Sequence, residues 1–501
     1  MNTPQASVEN SAAPVRAMHV LVTAAVIGIA GDALMRGGVL RLGFLLWMAL
    51  LGVAVLAVDR STFRTDHGRE RAWLMGGALL AAFGLVWRDS PTMYAVDMLS
   101  VLCMGALTIW HGSGWRVQQL TVFEAFRAMA LAVINTVGGA FGAVLQSRDE
   151  RSNPTHSNLR ARAITIGIVL AVPPLLIVTL LLVASDKVFD ALVQSVVNFL
   201  AIDGIQHVVV AIVLAWIAAG WIRAALGNAL RVLLPEAKTP ALLFMSVGVG
   251  LYALVALLTV FFVTQLRVLF GGESFLMSTQ GLTVAAYARE GFFQLILAAG
   301  IVLATLIAAE WLLSPDDARG RRQFRIAGAL LLTLIGTLLI SAATRMWLYV
   351  REFGLSEDRA FAYAVMLWVV AAIVIFAMTM LRGRADRFAP RTLAATAVWV
   401  ALLNVTNLQA IVVNVNVARA AHGETFDAQY HATLSADALP SLAESASRLK
   451  PEDCKLLSDA LQQAWTKRIA NANVNGNDWR TLNLPLLRAR SWHEAGVTLA
   501  C

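Results

Sequence analysis

Ala241-Leu242-Leu243-Phe244-Met245-Ser246-Val247-Gly248-Val249-Gly250 opens an apolar run that reaches Gln265 without a charged residue, and Gly291-Phe292-Phe293-Gln294 opens another that reaches Leu313. Each run has the roughly 20 residues that a helix needs to cross the hydrocarbon of a bilayer. Between them stand Arg267-Val268-Leu269-Phe270-Gly271-Gly272 and Gly281-Leu282-Thr283-Val284-Ala285-Ala286-Tyr287-Ala288-Arg289-Glu290. Two membrane-length runs joined by a polar connector define the class. Lipid offers no partner for a free backbone group, so an open chain crosses it only as helices, and the fold is expected to be all-α and polytopic.

Composition agrees. The 501 residues are 58% hydrophobic and only 14% charged, with a mean hydropathy of +0.67, against roughly 25% charged in a soluble domain. The net charge of +8 does not point to nucleic acid, because the basic residues sit in short loops between apolar runs, where positive-inside topology accounts for them. Cys103, Cys454 and Cys501 are too few for a disulfide scaffold or a zinc site. No small-residue cleavage pattern follows the first apolar run, which is therefore expected to stay as a span.

Working outward, the other expected spans are Met18–Met35, Leu42–Val58, Trp73–Trp87, Tyr94–Trp110, Ala163–Ala184, His207–Ile222, Ile326–Trp347, Ala362–Leu381 and Leu393–Val413, about 11 in all. Leu120–Leu145 is ambiguous. Arginine-rich loops occur around Arg60–Arg71, Arg148–Arg162, Arg223–Lys238, Arg319–Arg325 and Arg382–Arg391. They fall on one side only if Leu120–Leu145 lies along the inner surface, and its Glu124 and Arg127, one helical turn apart, suit an interfacial helix. A further span is the alternative. The expected order is a cytoplasmic segment 1–17, four spans over 18–110, a cytoplasmic connector 111–162, seven spans over 163–413, and a small helical domain 414–501 on the periplasmic face. Lys187–Leu200 has apolar residues at helical spacing and is expected on the outer surface. Pro173-Pro174 should kink its span. Pro451 with Glu452 and Asp453 reads as a helix start in the terminal domain.

The outer connectors share a pattern: Gly281-Leu282-Thr283 leads to Tyr287 and Arg289, and Gly354-Leu355-Ser356 leads to Arg359. Thr or Ser would cap the helix that follows, with Gly in the turn before it. Starting two membrane helices explains the pair without function. The functional reading is an outward pocket for phosphate or a lipid headgroup, since helix starts and arginine both favour anions. Its candidate binding residues are Asp32, Asp97, Arg267, Tyr287, Arg289, Glu290, Arg345 and Arg359, set against the alternative that long side chains at helix ends snorkel. Asn404, Asn407, Gln409, Asn414 and Asn416 are expected to bond between helices. No catalytic residue, metal set or cofactor is expected. Cys454 and Cys501 could pair in an oxidising periplasm, constraining the unfolded chain by roughly 4 kcal/mol in the loop-entropy picture.

Tyr287-Ala288-Arg289-Glu290-Gly291-Phe292-Phe293 resembles a bacterial multi-pass family, domain of unknown function 4173, related to the similarly named 4153. So do Ala184-Ser185-Asp186, Gln265-Leu266-Arg267, Arg345 with Trp347 and Tyr349, Gly354-Leu355, Asn416-Val417-Ala418-Arg419, Asp427 with Tyr430, and Leu434-Ser435-Ala436-Asp437-Ala438 with Pro440. The resemblance runs from about Ala163 to Leu487 and implies a bacterial inner membrane without implying an activity. Where the family pattern has Asn-Pro-Asp, this chain has Asn407-Leu408-Gln409, which takes a carboxylate away from any acid–base role there.

The reading that fits is a non-enzymatic inner-membrane protein, a sensor, scaffold or envelope-associated protein. Its expected partners are membrane lipid and an envelope protein or lipid-linked anion, not nucleic acid. A transporter or lipid-handling protein is the alternative, and a membrane glycosyltransferase-like enzyme is the third.

Overall fold

The computed structural model describes residues 17–36, 41–58, 66–112, 116–117, 120–149, scattered positions between 171 and 183, 185–200, 204–228, 244–280, 292–314, 316–472, 478–494 and Leu499. Among them the chain is all-α. The helices are α1 Ala17–Met35, α2 Leu42–Val58, α3 Asp66–Trp87, α4 Pro91–Gly112, α5 Val122–Asp149, α6 Lys187–Leu200, α7 Ile205–Arg223, α8 Phe244–Gln280, α9 Phe292–Leu312, α10 Ala318–Phe353, α11 Glu357–Thr379, α12 Phe388–Val405 and α13 Leu408–Ala421. They are followed by α14 Ala428–Thr433, α15 Leu439–Ser445, α16 Pro451–Ala472 and α17 Leu484–Glu494.

Nine described helices are long and apolar enough to cross a membrane, and the chain is a multi-span membrane protein. Among the described residues the details differ from the expected 11 in several places. Eight of the expected spans appear among the nine, and the ninth is Val122–Val144. Leu42–Ala57 is apolar but shorter, α3 begins in the charged stretch Asp66–Arg71, and Ala163–Ala184 with Pro173-Pro174 falls mostly outside the described residues. The connector Arg267–Gly272 is helix, because α8 runs for 37 residues to Gln280. The run expected over Leu393–Val413 breaks at Thr406-Asn407. There the backbone turns extended, and the Asn407 side chain caps α13 by accepting from the Ala410 N–H at 3.0 Å.

The chain divides into two compact units. In the first, residues 1–82, 101–116 and 126–232, seams form where small residues face each other. A Cβ on Gly28 would stand 2.5 Å from the Ala215 Cβ, and one on Gly139 would stand 2.7 Å from the Gly220 Cα. Such seams suit lipid, where apolar burial gives helices no reason to associate and close van der Waals packing does. The middle of α5 meets the last turns of α7: Trp216 donates to the Val137 carbonyl at 2.8 Å and meets Phe141 edge-on at 4.2 Å. Arg71 of α3 reaches the Ala225 carbonyl just past that end of α7, at 3.2 Å. Asp186 caps α6, accepting from the Val188 and Phe189 N–H groups.

In the second unit, residues 83–100, 117–125 and 233–501, α8, α9 and α11 pack on α10. Leu306, Leu331, Ile335, Ala342 and Phe376 lie in one buried core. The basic start of α10 lies at the same end of the bundle as the turns over 380–387. Thr121 and Glu124 form a reciprocal capping box at the start of α5. A separate core holds the terminal helices. Val412, Val413, Leu434, Leu442, Cys454, Leu457 and Trp465 enclose Leu355 and Ala360 at the start of α11, so the terminal domain folds around a membrane-helix end.

Candidate functional site

Polar side chains of the second unit converge where the turn between α3 and α4, the start of α11 and the end of α12 meet the terminal domain. Ser356 caps α11, accepting from the Arg359 N–H, and Gly354 precedes it at φ +79°. Only glycine suits that position, because a Cβ would also strike Arg419 Nη1 at 2.6 Å and Asn416 Oδ1 at 2.8 Å.

Asp437, 5% exposed, is the centre of a reciprocal clasp. Its Oδ2 accepts from the N–H groups of Asp89 at 2.8 Å and Ser90 at 3.1 Å, at the start of α4, and Arg88 Nη1 stands 3.5 Å from Oδ1. In return Asp89 Oδ2 accepts from the Ala436 N–H at 3.3 Å, and its Oδ1 from Tyr94 Oη at 3.2 Å. A carboxylate at the amide-rich start of a helix is favourably placed. Burial pushes the Asp437 carboxyl above the usual carboxylate range, against the pull of the Asp89 N–H and the Arg88 guanidinium.

Amides complete the network. Gln409 donates to Glu357 at 2.6 Å and accepts from the Ser435 N–H and Oγ at 2.9 and 2.8 Å, while Ser90 Oγ bonds the other Glu357 oxygen. Asn483 of the terminal domain donates to the Arg88 carbonyl at 2.7 Å. Arg88 Nε and Nη2 close the α12 end at the Asn404 and Val405 carbonyls, 2.8 and 2.9 Å. Asn416 takes the Leu355 N–H at 2.8 Å and gives to the Leu355 carbonyl at 2.7 Å. Tyr430 Oη accepts from the Glu357 N–H at 2.8 Å, and burial raises its phenol above the ordinary value.

The residues expected at an anion pocket are placed as follows. Asp32, in the first unit at the end of α1, is held by Arg36 at 2.7 Å and His207 at 2.9 Å. Asp97, in the second unit and fully buried, accepts from Asn404 Nδ2 at 2.7 Å. Arg359 folds back to the Gly354 carbonyl and lies 4.1 Å from the Tyr349 ring centre, and Arg345 is half-buried on α10. The Arg267 side chain, Tyr287, Arg289 and Glu290 fall outside the described residues. Cys454 is buried in the terminal core, and Cys501 is outside the described residues. The structure brings Asp97 together with Arg88 and Asn404, and Arg359 with its own loop. Sequence reading missed Arg88, Asp89, Ser90, Glu357, His431 and Asn483. The one available signal was Leu434-Ser435-Ala436-Asp437-Ala438, already notable as a phrase.

The family model described as a domain of unknown function, DUF4153, matches residues 75–445. The chain belongs to this family. The match is to 4153 and not specifically to the expected 4173, and it begins in α3, well before the expected Ala163, so that the Arg88–Ser90 turn and Asp97 fall inside the family region. Asn483 and most of the terminal core's later helices lie beyond it. No curated protein and no solved structure matches the chain.

Proposed function

We propose that this DUF4153 protein resides in a bacterial inner membrane with its terminal domain in the periplasm, and that it acts as an envelope-facing sensor or assembly scaffold. The observation that carries the reading is the clasp. Asp437, Asp89, Gln409, Glu357 and Asn416 each bond to another part of the protein, and together they couple a helical domain to the ends of α3, α11 and α12. Such a joint transmits position. Counting alternately from a cytoplasmic amino-terminal segment puts the turn at 88–93, the connector at 348–361 and the terminal domain all on the outer side, and their meeting here supports the alternation of loops on which the orientation rests. The placement of α5 along the inner surface draws support from its middle, not its tip, meeting the end of α7.

A reporter fused after Cys501 tests the orientation: periplasmic activity supports it, and cytosolic activity overturns it together with the Cys454–Cys501 bond. The role is tested by purification with native lipid, comparing the full chain with one ending at His422. Loss of specific envelope proteins with the tail supports a scaffold. Loss of a bound small molecule or lipid supports the second reading, transport or lipid handling. That second reading has its own observation: Asp97, fully buried within the candidate span Pro91–Gly112, leaves Oδ2 without a hydrogen-bond partner, as does Asn404 at Oδ1. An ionisable group inside a span is a functional candidate by default.

A further inference from the structure

His431 sits at the second contact between the terminal domain and α11, and its hydrogen bonds fix its protonation state. The ring is 1% exposed, stacked on Phe426 at 4.4 Å and edge-on to Tyr430 at 5.3 Å. Nδ1 lies 2.6 Å from the Asp427 carbonyl, which only accepts, so Nδ1 carries the hydrogen. Nε2 lies 3.1 Å from Asn416 Nδ2 and must then accept. The Asn416 amide cannot be turned round, because its oxygen takes the Leu355 N–H and its nitrogen gives to the Leu355 carbonyl. Every donor and acceptor on both side chains is matched, and only with a neutral imidazole.

A second proton on the ring would aim Nε2–H at the Asn416 NH2. Two donors would then face each other in a site closed to water. The conflict is relieved by turning the amide, which breaks both bonds to Leu355, or by expelling the ring from Phe426 and Tyr430. We infer that His431 is a proton-binding latch: a proton taken from solvent onto Nε2 breaks the hold of Asn416 on the Gly354-Leu355 loop and releases this contact between the terminal domain and the start of α11. This holds whichever side of the membrane the domain occupies.

Burial holds the His431 imidazolium below the ordinary histidine value, with Asp427 pulling the other way. The other charged groups around the contact include Arg419 on α13, bonded to the Arg351 carbonyl and 3.7 Å from Glu424, and Glu357, Asp358 and Arg359 at the start of α11, which Tyr430 faces. A histidine with a lowered folded value contributes stability above its unfolded value near pH 6.5 that is lost as pH falls below it. Asp437, shifted upward, works in the opposite sense, so the test must isolate the histidine.

Hydrogen exchange of purified full-length protein in nanodiscs, followed on peptides covering 354–360 and 428–436 and corrected for the intrinsic pH dependence, reads the latch. Opening should increase about tenfold per pH unit below roughly pH 6.5 in the wild type relative to His431→Gln, since one proton is taken up. Equal pH dependence in the two proteins overturns the inference. Asn416→Asp supplies a second criterion should the glutamine variant not fold. Its carboxylate would accept from the imidazolium, so acid should tighten the contact, and acid loosening equal to that of the wild type would again overturn it.

Discussion

The middle of the seam between α1 and α7, away from the Asp32–His207 bond at its end, and the clasp at Asp437 join helices by opposite means. At Gly28 and Ala215 the backbones approach closely and no polar side chain intervenes. At Asp89 and Asp437 two turns exchange carboxylates and amides. Deep in lipid, contact comes from shape, because the surrounding chains are as apolar as the helices. At a helix end the free N–H and carbonyl groups already need partners, so the cheapest joint is one that supplies them. The terminal domain is thus recognised through the ends of membrane helices, and its specificity lies in the hydrogen bonds those ends call for.

Substitutions sharpen this contrast. Asp437→Ala leaves the Asp89 and Ser90 amides without their acceptor and the buried Arg88 without its carboxylate, though not without its two carbonyl partners, and should cost about 3–5 kcal/mol, read as early unfolding of the terminal domain in chemical denaturation. Asn416→Ala strands the Leu355 N–H and carbonyl and should cost about 2–4 kcal/mol by the same measurement. Gly28→Leu forces side-chain atoms into Ala215 and should cost about 1–3 kcal/mol. Its loss should appear as faster proteolysis within the first unit while the terminal domain keeps its denaturation midpoint. Ser356→Ala removes the cap of α11 and should cost about 1 kcal/mol, visible as faster amide exchange in the first turn of α11.

The sequence disclosed the spans because a bilayer demands long apolar helices and short basic loops, a constraint written in composition. It also disclosed the caps, Gly354 with Ser356, since a left-handed turn and a helix start each need particular residues. It did not disclose the break at Thr406-Asn407, because apolar residues continue on both sides of it and Val412 and Val413 just beyond it pack into a core made with distant residues. Nor did it disclose the partnership of Asp89 with Asp437. Carboxylates so far apart in the chain carry no local mark of meeting, and Arg88–Ser90 reads as an ordinary short loop. Asp32 and Asp97, both expected at one outward pocket, belong to separate units with separate partners.

The polar exchange at the clasp, beyond the apolar packing around Leu355 and Ala360, holds the terminal domain to the membrane helices. A double-mutant cycle on Arg88→Ala and Asp437→Ala, followed by chemical unfolding of the terminal domain in nanodiscs, tests it most directly. The expected result is a coupling of about 1–3 kcal/mol between the two positions. Additivity within about 0.5 kcal/mol, with the terminal domain still docked in the double variant, would contradict it.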